Sequence, residues 1–93
     1  MIYAYAKLTV TNPSALEEYR PLAGPALARH GGKVEQASGE PVPLDGAPDL
    51  PNVAAILSFP DRAHAEAWIN DPDLADVHAL RRGAGRSDIV MLG

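Results

Sequence analysis

The sequence predicts a single α+β domain in which two strand–helix–strand units share a four-stranded antiparallel sheet, with the helices on one face. Three observations carry this reading. Two apolar runs, Ile2–Val10 and Val53–Phe59, each lead into a segment of helical spacing and then a further strand. Glycine and proline breaks separate these segments at the places such a βαββαβ order needs turns. The 93 residues form one domain, 1–93, small enough that folding buries only about 60–65% of the unfolded surface.

The first strand alternates Ile2, Ala4, Ala6, Leu8 and Val10 on one face with Tyr3, Tyr5, Lys7 and Thr9 on the other. Asn12 can cap the helix that follows, with Pro13 at its first position and Glu17 and Glu18 near its positive end. Leu16, Tyr19, Ala23, Ala26 and Leu27 recur at helical spacing and mark its buried stripe. Pro21 and Pro25 each remove an intrahelical hydrogen bond, so a kink or two joined pieces are expected. Gly31 and Gly32 supply the backbone freedom that ends this helix, with Arg29 and His30 at its negative end.

A second strand, about Lys33–Ser38, is polar enough for a sheet edge. Gly39–Pro51 holds four of the nine prolines and cannot be a central strand, because proline does not donate to a ladder. It reads as an extended arm or long hairpin with Val42 and Leu44 as anchors, placed to pack on a partner subunit. The third strand, Asn52–Phe59, is apolar on both faces, which suits a central strand covered on both sides. Pro60 and Asp61 start the second helix, with Ala65, Trp68 and Ile69 facing inward. Asn70-Asp71-Pro72 breaks it, and Asp71 caps a third helical piece on which Leu74, Val77, His78 and Arg81 share a face. A loop holding Gly83 and Gly85 leads to the last strand, Ser87–Leu92.

Helices on one side leave the apolar residues of the other sheet face without a cover. A patch of that size implies association, and a two-fold dimer with its sheets face to face closes a barrel. Tyr3, Tyr5 and Lys7 then belong to the dimer interior or its mouth, where buried tyrosines need no catalytic explanation.

Composition narrows the chemistry. The net charge of −4 opposes binding to a phosphate backbone, and Arg81, Arg82 and Arg86 make only a local basic patch. RNA-recognition modules share this strand order, but Val53–Ser58 of the third strand offers neither an aromatic nor a basic residue for stacking bases. Without cysteine there are no disulfides or thiolate metal sites, which suits a reducing cytoplasm. Met1–Lys7 has no basic leader and no long apolar stretch, so neither a signal peptide nor a membrane span is expected. The three histidines stand on separate segments without metal-ligand spacing, and no phosphate-cradling loop or nucleophile elbow is present. No metal and no cofactor is called for.

Several short motifs occur together: Glu17-Glu18-Tyr19-Arg20 after the first strand, then His30-Gly31-Gly32, Phe59-Pro60 before the second helix, Ala67-Trp68 within it, and Asn70-Asp71-Pro72 after it. In this order and spacing, over nearly the whole chain, they resemble the bacterial domain-of-unknown-function family 1330 of the dimeric α+β barrel superfamily. Where that family often has a tyrosine after the Asp/Ser-Pro step, this chain has Leu74, so no role for such a hydroxyl is carried over. The resemblance implies a ferredoxin-like fold paired as a dimeric α+β barrel. It also implies a pocket between helices and sheet, in a superfamily that includes cofactor-free oxygenases, lactone isomerases and haem enzymes. Fold does not select among these.

Candidate site residues follow from chemistry. His30 titrates near neutral pH and falls three residues beyond Leu27 on the inward stripe, so it is the candidate for proton transfer; the alternative is a C-terminal cap on free carbonyls. Tyr19 shares that stripe, with its hydroxyl toward a ligand or its ring simply in the core. Trp68 is a candidate pocket wall or core residue. His78 and Arg81, one turn apart, suit a carboxylate or enolate, or else form a partly solvated helix face. Two functions remain open. One is a cofactor-independent isomerase or oxygenase in which His30, Tyr19 and Arg81 act on an apolar oxygenated molecule, with Trp68 and His78 lining the site. The other is a non-catalytic dimer that binds a small metabolite or serves as a scaffold.

Overall fold

The computed structural model describes residues 1–93. Its order is β1 (Ile2–Val10), α1 (Pro13–Ala28), β2 (Lys33–Ser38), β3 (Val53–Phe59), α2 (Arg62–Asn70), a 3₁₀ turn (Pro72–Leu74), α3 (Ala75–Gly83) and β4 (Gly85–Leu92). The sheet runs β2-β3-β1-β4, antiparallel throughout. This is the α+β, ferredoxin-like arrangement expected from the sequence.

The β1–β3 register sets Ala4 against Leu57 and Ile2 against Phe59, and the β1–β4 register sets Ala4 against Met91 and Ala6 against Ile89. Alternation therefore places these residues on one face, and the core forms there: Ala4, Leu57 and Phe59 meet Ala26 and Leu27 of α1, Trp68 of α2 and Leu74 of the 3₁₀ turn. The molecule is 16 Å through its shortest axis, room for the sheet and one helical layer. On the other face Val90 and Leu92 each remain 55% exposed and Tyr3 43%.

Capping follows the local sequence. Asn12 accepts from the Ala15 amide and Pro13 opens α1, while Asp61 accepts from the His64 amide at the start of α2. Asp71 ends α2 in extended backbone and accepts from the Asp73 amide, opening the 3₁₀ turn at Pro72. Gly31 takes a positive φ of 70° after α1, and the amide of Gly32 returns to the Leu27 carbonyl.

Two local expectations are corrected, and two further features come with the structure. α1 is one helix through Pro21 and Pro25 rather than two pieces. Both prolines are exposed, so the carbonyls they leave unpaired, those of Glu17 and Pro21, lie on the watered side of the helix. The glycine-bearing loop before β4 shrinks to Ala84, since α3 reaches Gly83 and β4 begins at Gly85. Val42 and Leu44 anchor nothing within their own chain, being 82% and 102% exposed. β2 carries a bulge at Glu35: Val34 pairs with Leu57 while Gln36 pairs with Ile56. The extra residue is held by its carboxylate, which accepts from the buried Ser58 hydroxyl at 3.0 Å and pairs with Lys33 at 3.1 Å. These two partners, Lys33 first, hold the Glu35 carboxyl below the usual carboxylate range.

Candidate functional site

α3 follows directly on the 3₁₀ turn that Asp71 caps, and it carries Asp76 in its first turn and Arg81 and Arg82 in its last, a charge order that complements the helix dipole. His78 and Arg81 sit three residues apart, so both project from the same face toward the sheet, and both are buried. The Arg81 guanidinium donates from Nη1 to Nδ1 of His78 at 2.7 Å and from Nε to Oγ of Ser87 at 3.2 Å. Its Cζ lies 5.4 Å from the Trp68 ring centroid and 5.9 Å from that of Tyr19. Helices α1, α2 and α3 and strand β4 thus each supply one group around a single cation.

Arginine has donors only, so Nδ1 of His78 is the acceptor and the ring proton sits on Nε2, which donates to the Trp68 carbonyl at 2.9 Å. Burial, reinforced by the positive charge of Arg81 and Arg82, pushes the His78 pKa below its ordinary value despite the Trp68 hydrogen bond, keeping the ring neutral. The imidazole stands edge-on to the indole of Trp68 at 4.8 Å, and Trp68 packs in turn on Phe59 at 5.5 Å.

Two cavities meet at this cluster. One, of about 300 Å³, lies under α2 and is lined by Ala4, Phe59, Ile69 and Met91. The other, of about 270 Å³, lies under α1 and is lined by Leu16, Tyr19, Leu27 and Leu57. Trp68, Arg81, Ser87 and Ile89 line both. The stripe expected to bury α1 is therefore divided: Ala26 and Leu27 fill the core, whereas Leu16, Tyr19 and Ala23 are only half-buried because they face this space.

Two features of the cluster are electrostatically incomplete. Arg81 is 6% exposed yet no carboxylate lies within 4.0 Å of it, since none of the ion pairs includes it. Buried charges are ordinarily paired. The Nε1 of Trp68 is buried without any hydrogen-bond partner, although buried indole N–H groups usually have one.

Of the residues singled out from sequence, Tyr19, Trp68, His78 and Arg81 come together. His30 does not join them. α1 ends at Ala28, so His30 has left the helical stripe, and its Nε2 meets Oδ2 of Asp71 at 2.8 Å. Arg29 binds the same carboxylate at 3.1 Å and Asp73 at 2.7 Å, so this cluster fastens the end of α1 to the 3₁₀ turn. The hydrogen bond from His30, then that of the Asp73 amide, holds the Asp71 carboxyl below the usual carboxylate range. His30 lines neither cavity.

Sequence reasoning missed Ser87 and Ile89. The signal was present in the alternation of β4, which places Ser87, Ile89 and Met91 on the same face as Leu8, Ala6 and Ala4. An inward serine among apolar positions marks a polar need on the helix side of the sheet. No group of three or more His, Asp or Glu side chains is arranged to hold a metal ion, and no helix is long and apolar enough to cross a membrane.

No curated protein matches the chain. Among solved structures, that of a protein of unknown function from Rhodopseudomonas palustris, a structural genomics target, aligns with 98% of this chain and 79% of its own length, at a TM-score of 0.73 and 23% identity. At that identity the likeness speaks for the fold alone. The family described as Domain of unknown function (DUF1330) matches residues 1–93, and the chain belongs to it.

Proposed function

We propose that the protein binds a small, largely apolar molecule bearing an anionic or enolate-like oxygen, seated between helices and sheet against Arg81. The observation that carries this reading is the guanidinium itself, 6% exposed, without a carboxylate, and lining both cavities. A cation held this way is electrostatically unfinished until an anion arrives, and the low dielectric around it strengthens that attraction. Native mass spectrometry of the purified protein tests the reading. The expected result is a noncovalent adduct with the mass of an organic acid, carried by the wild type and absent from Arg81→Met. An adduct that survives the substitution would place binding elsewhere and refute it.

A second reading makes the same site catalytic, as an isomerase or oxygenase without cofactor. Tyr19 favours it: the phenol lines the cavity under α1, beside the guanidinium, where a hydroxyl can exchange a proton with an enolate oxygen. The histidines favour it less, because His30 lies outside both cavities and both ring nitrogens of His78 are engaged. Substrate-dependent turnover lost in Tyr19→Phe, with ligand binding retained, is the outcome that would favour catalysis over binding alone.

We further propose that two copies pair through the open sheet faces. The exposed Tyr3, Val90 and Leu92 support this. So does the surface area of 5882 Å² for a 9.8 kDa chain, against about 5,200 Å² for a typical monomer of that mass. The surplus is close to the roughly 800 Å² each partner contributes to a standard interface. The exposed Val42 and Leu44 suit an arm that reaches the second copy.

A further inference from the structure

The unpartnered indole N–H of Trp68 says more about the ligand. Trp68 is 4% exposed, its Nε1 has no acceptor, and its ring lies against the same guanidinium that lacks a counter-ion. With Nε and Nη1 of Arg81 already committed to Ser87 and His78, Nη2 is the nitrogen of that guanidinium left without a hydrogen bond. Two unmet donors, one charged and one neutral, thus belong to residues in contact, and both residues line both cavities.

We infer that the ligand is a monocarboxylate, one oxygen taking the charge-assisted bond from Arg81 and the other the indole N–H of Trp68. This rests on the binding function proposed above and specifies its substrate class. A carboxylate supplies two acceptor oxygens with a single negative charge, matching one cation and one neutral donor. A phosphate or sulfate monoester would bring more acceptors, and the phosphate more charge, than this cluster can satisfy. The remaining walls are mostly apolar, with Ala4, Ile69 and Met91 in one cavity and Leu16 and Leu27 in the other, while Glu66 and Arg82 also line the first and Lys7 and Arg20 the second. At about 30 Å³ per water-sized unit, the cavity of about 300 Å³ accepts a body on the order of ten non-hydrogen atoms. The class is therefore a small, largely aliphatic or aryl-alkyl acid.

The chain has one tryptophan, so its indole N–H gives one resonance in a nitrogen-15 correlation spectrum. The probes are 3-phenylpropanoate and the matching alcohol, 3-phenylpropanol, titrated into the wild-type protein, Arg81→Met and Trp68→Phe. The expected result is a downfield shift of the indole proton with the acid but not the alcohol. Trp68→Phe should weaken the acid by about tenfold, the scale of a hydrogen bond to a charged group, and the alcohol by clearly less. An acid that needs Arg81, yet neither moves the indole resonance nor weakens in Trp68→Phe, overturns this inference while sparing the binding function. Acid and alcohol binding equally to wild type and Arg81→Met, or no acid binding at millimolar concentration, overturns both. Should Trp68→Phe fail to fold, the wild-type indole resonance decides alone.

Discussion

His78 is the residue whose removal should damage the fold most for its size. Its ring accepts a charged hydrogen bond from Arg81, donates to the Trp68 carbonyl, and packs edge-on to the Trp68 indole. The first is worth about 1.5–3 kcal/mol and the second about 1 kcal/mol, and such an aromatic pair about 0.5–1.5 kcal/mol. His78→Ala removes all three and leaves a buried cation with one fewer partner, so a loss of about 3–5 kcal/mol is expected. Against the roughly 5–15 kcal/mol that holds a small domain together, this is a large share. His78→Gln, which keeps an acceptor and a donor, should lose about half as much or less. The assay is urea unfolding at fixed protein concentration, since pairing would couple stability to mass action. pH adds a second test. Burial lowers the folded-state pKa of His78 below its ordinary 6.5, so the unfolded chain takes up this proton first on acidification. The stability is complete above pH 6.5 and is lost as the pH falls from there through the folded-state value. His78→Gln lacks this titration, so the gap between the two proteins should narrow over that range. A loss below about 1 kcal/mol in the alanine variant, or a pH-independent gap, would refute the network.

Three further predictions follow from other parts of the molecule. A Cβ built on Gly85 falls on the carbonyl oxygen of Thr9, inside any permitted contact, so Gly85→Ala should cost about 3 kcal/mol or more by disturbing the β1–β4 register; an unchanged urea midpoint would contradict it. Asp71→Asn should lower the urea midpoint at neutral pH by weakening the clasp on Arg29 and His30. Because the folded-state pKa of Asp71 is depressed from 3.8, its contribution is present above that pH and lost as the pH falls through the lower folded value, so the deficit should fade in acid; a deficit constant with pH would deny the clasp its charge. Val90→Asp places a carboxylate opposite Tyr5 on the open face, and sedimentation should find the proposed dimer in the wild type and a monomer in the variant; a dimer that persists in the variant would move the interface elsewhere.

What the sequence made legible was mostly what periodicity and punctuation encode. Asn12-Pro13, Asp61 and Asp71-Pro72 opened their helical segments as capping chemistry requires, and the alternation in β1 set the face of Ala4 and Leu8 toward the helices. Four of the five candidate residues met because they share helical faces that topology folds onto one sheet surface. The failure at His30 came from a boundary: extending the α1 stripe by three residues assumed two more residues of helix than Gly31 and Gly32 permit. Its true partner, Asp71, lies 41 residues away, and no local pattern encodes that pairing. The bulge at Glu35 was equally hidden, since it depends on Ser58 across the ladder rather than on the composition of β2.

The sharpest argument that Arg81 serves binding is the asymmetry between removing it and removing its support. Burying an arginine without a carboxylate costs several kcal/mol of desolvation, which the bonds to His78 and Ser87 and the two aromatic faces offset only in part. Replacing the cation by an apolar side chain of similar length deletes that desolvation, which offsets much of the cost of losing its bonds and of leaving Nδ1 of His78 without a donor. Arg81→Met should therefore stay within about 1–2 kcal/mol of wild type when no ligand is present, whereas His78→Ala, which keeps the cation and removes its support, should not. Ligand reverses the order. A ligand at a hundred times its Kd adds about 2.7 kcal/mol to the wild type, a rise in Tm of roughly 10–20 °C for a domain this small. Arg81→Met should gain almost none of it. Thermal unfolding of the three proteins with and without 3-phenylpropanoate measures both halves at once. If Arg81→Met unfolds as early as His78→Ala without ligand, the guanidinium is part of the fold's own support and needs no anion to explain it.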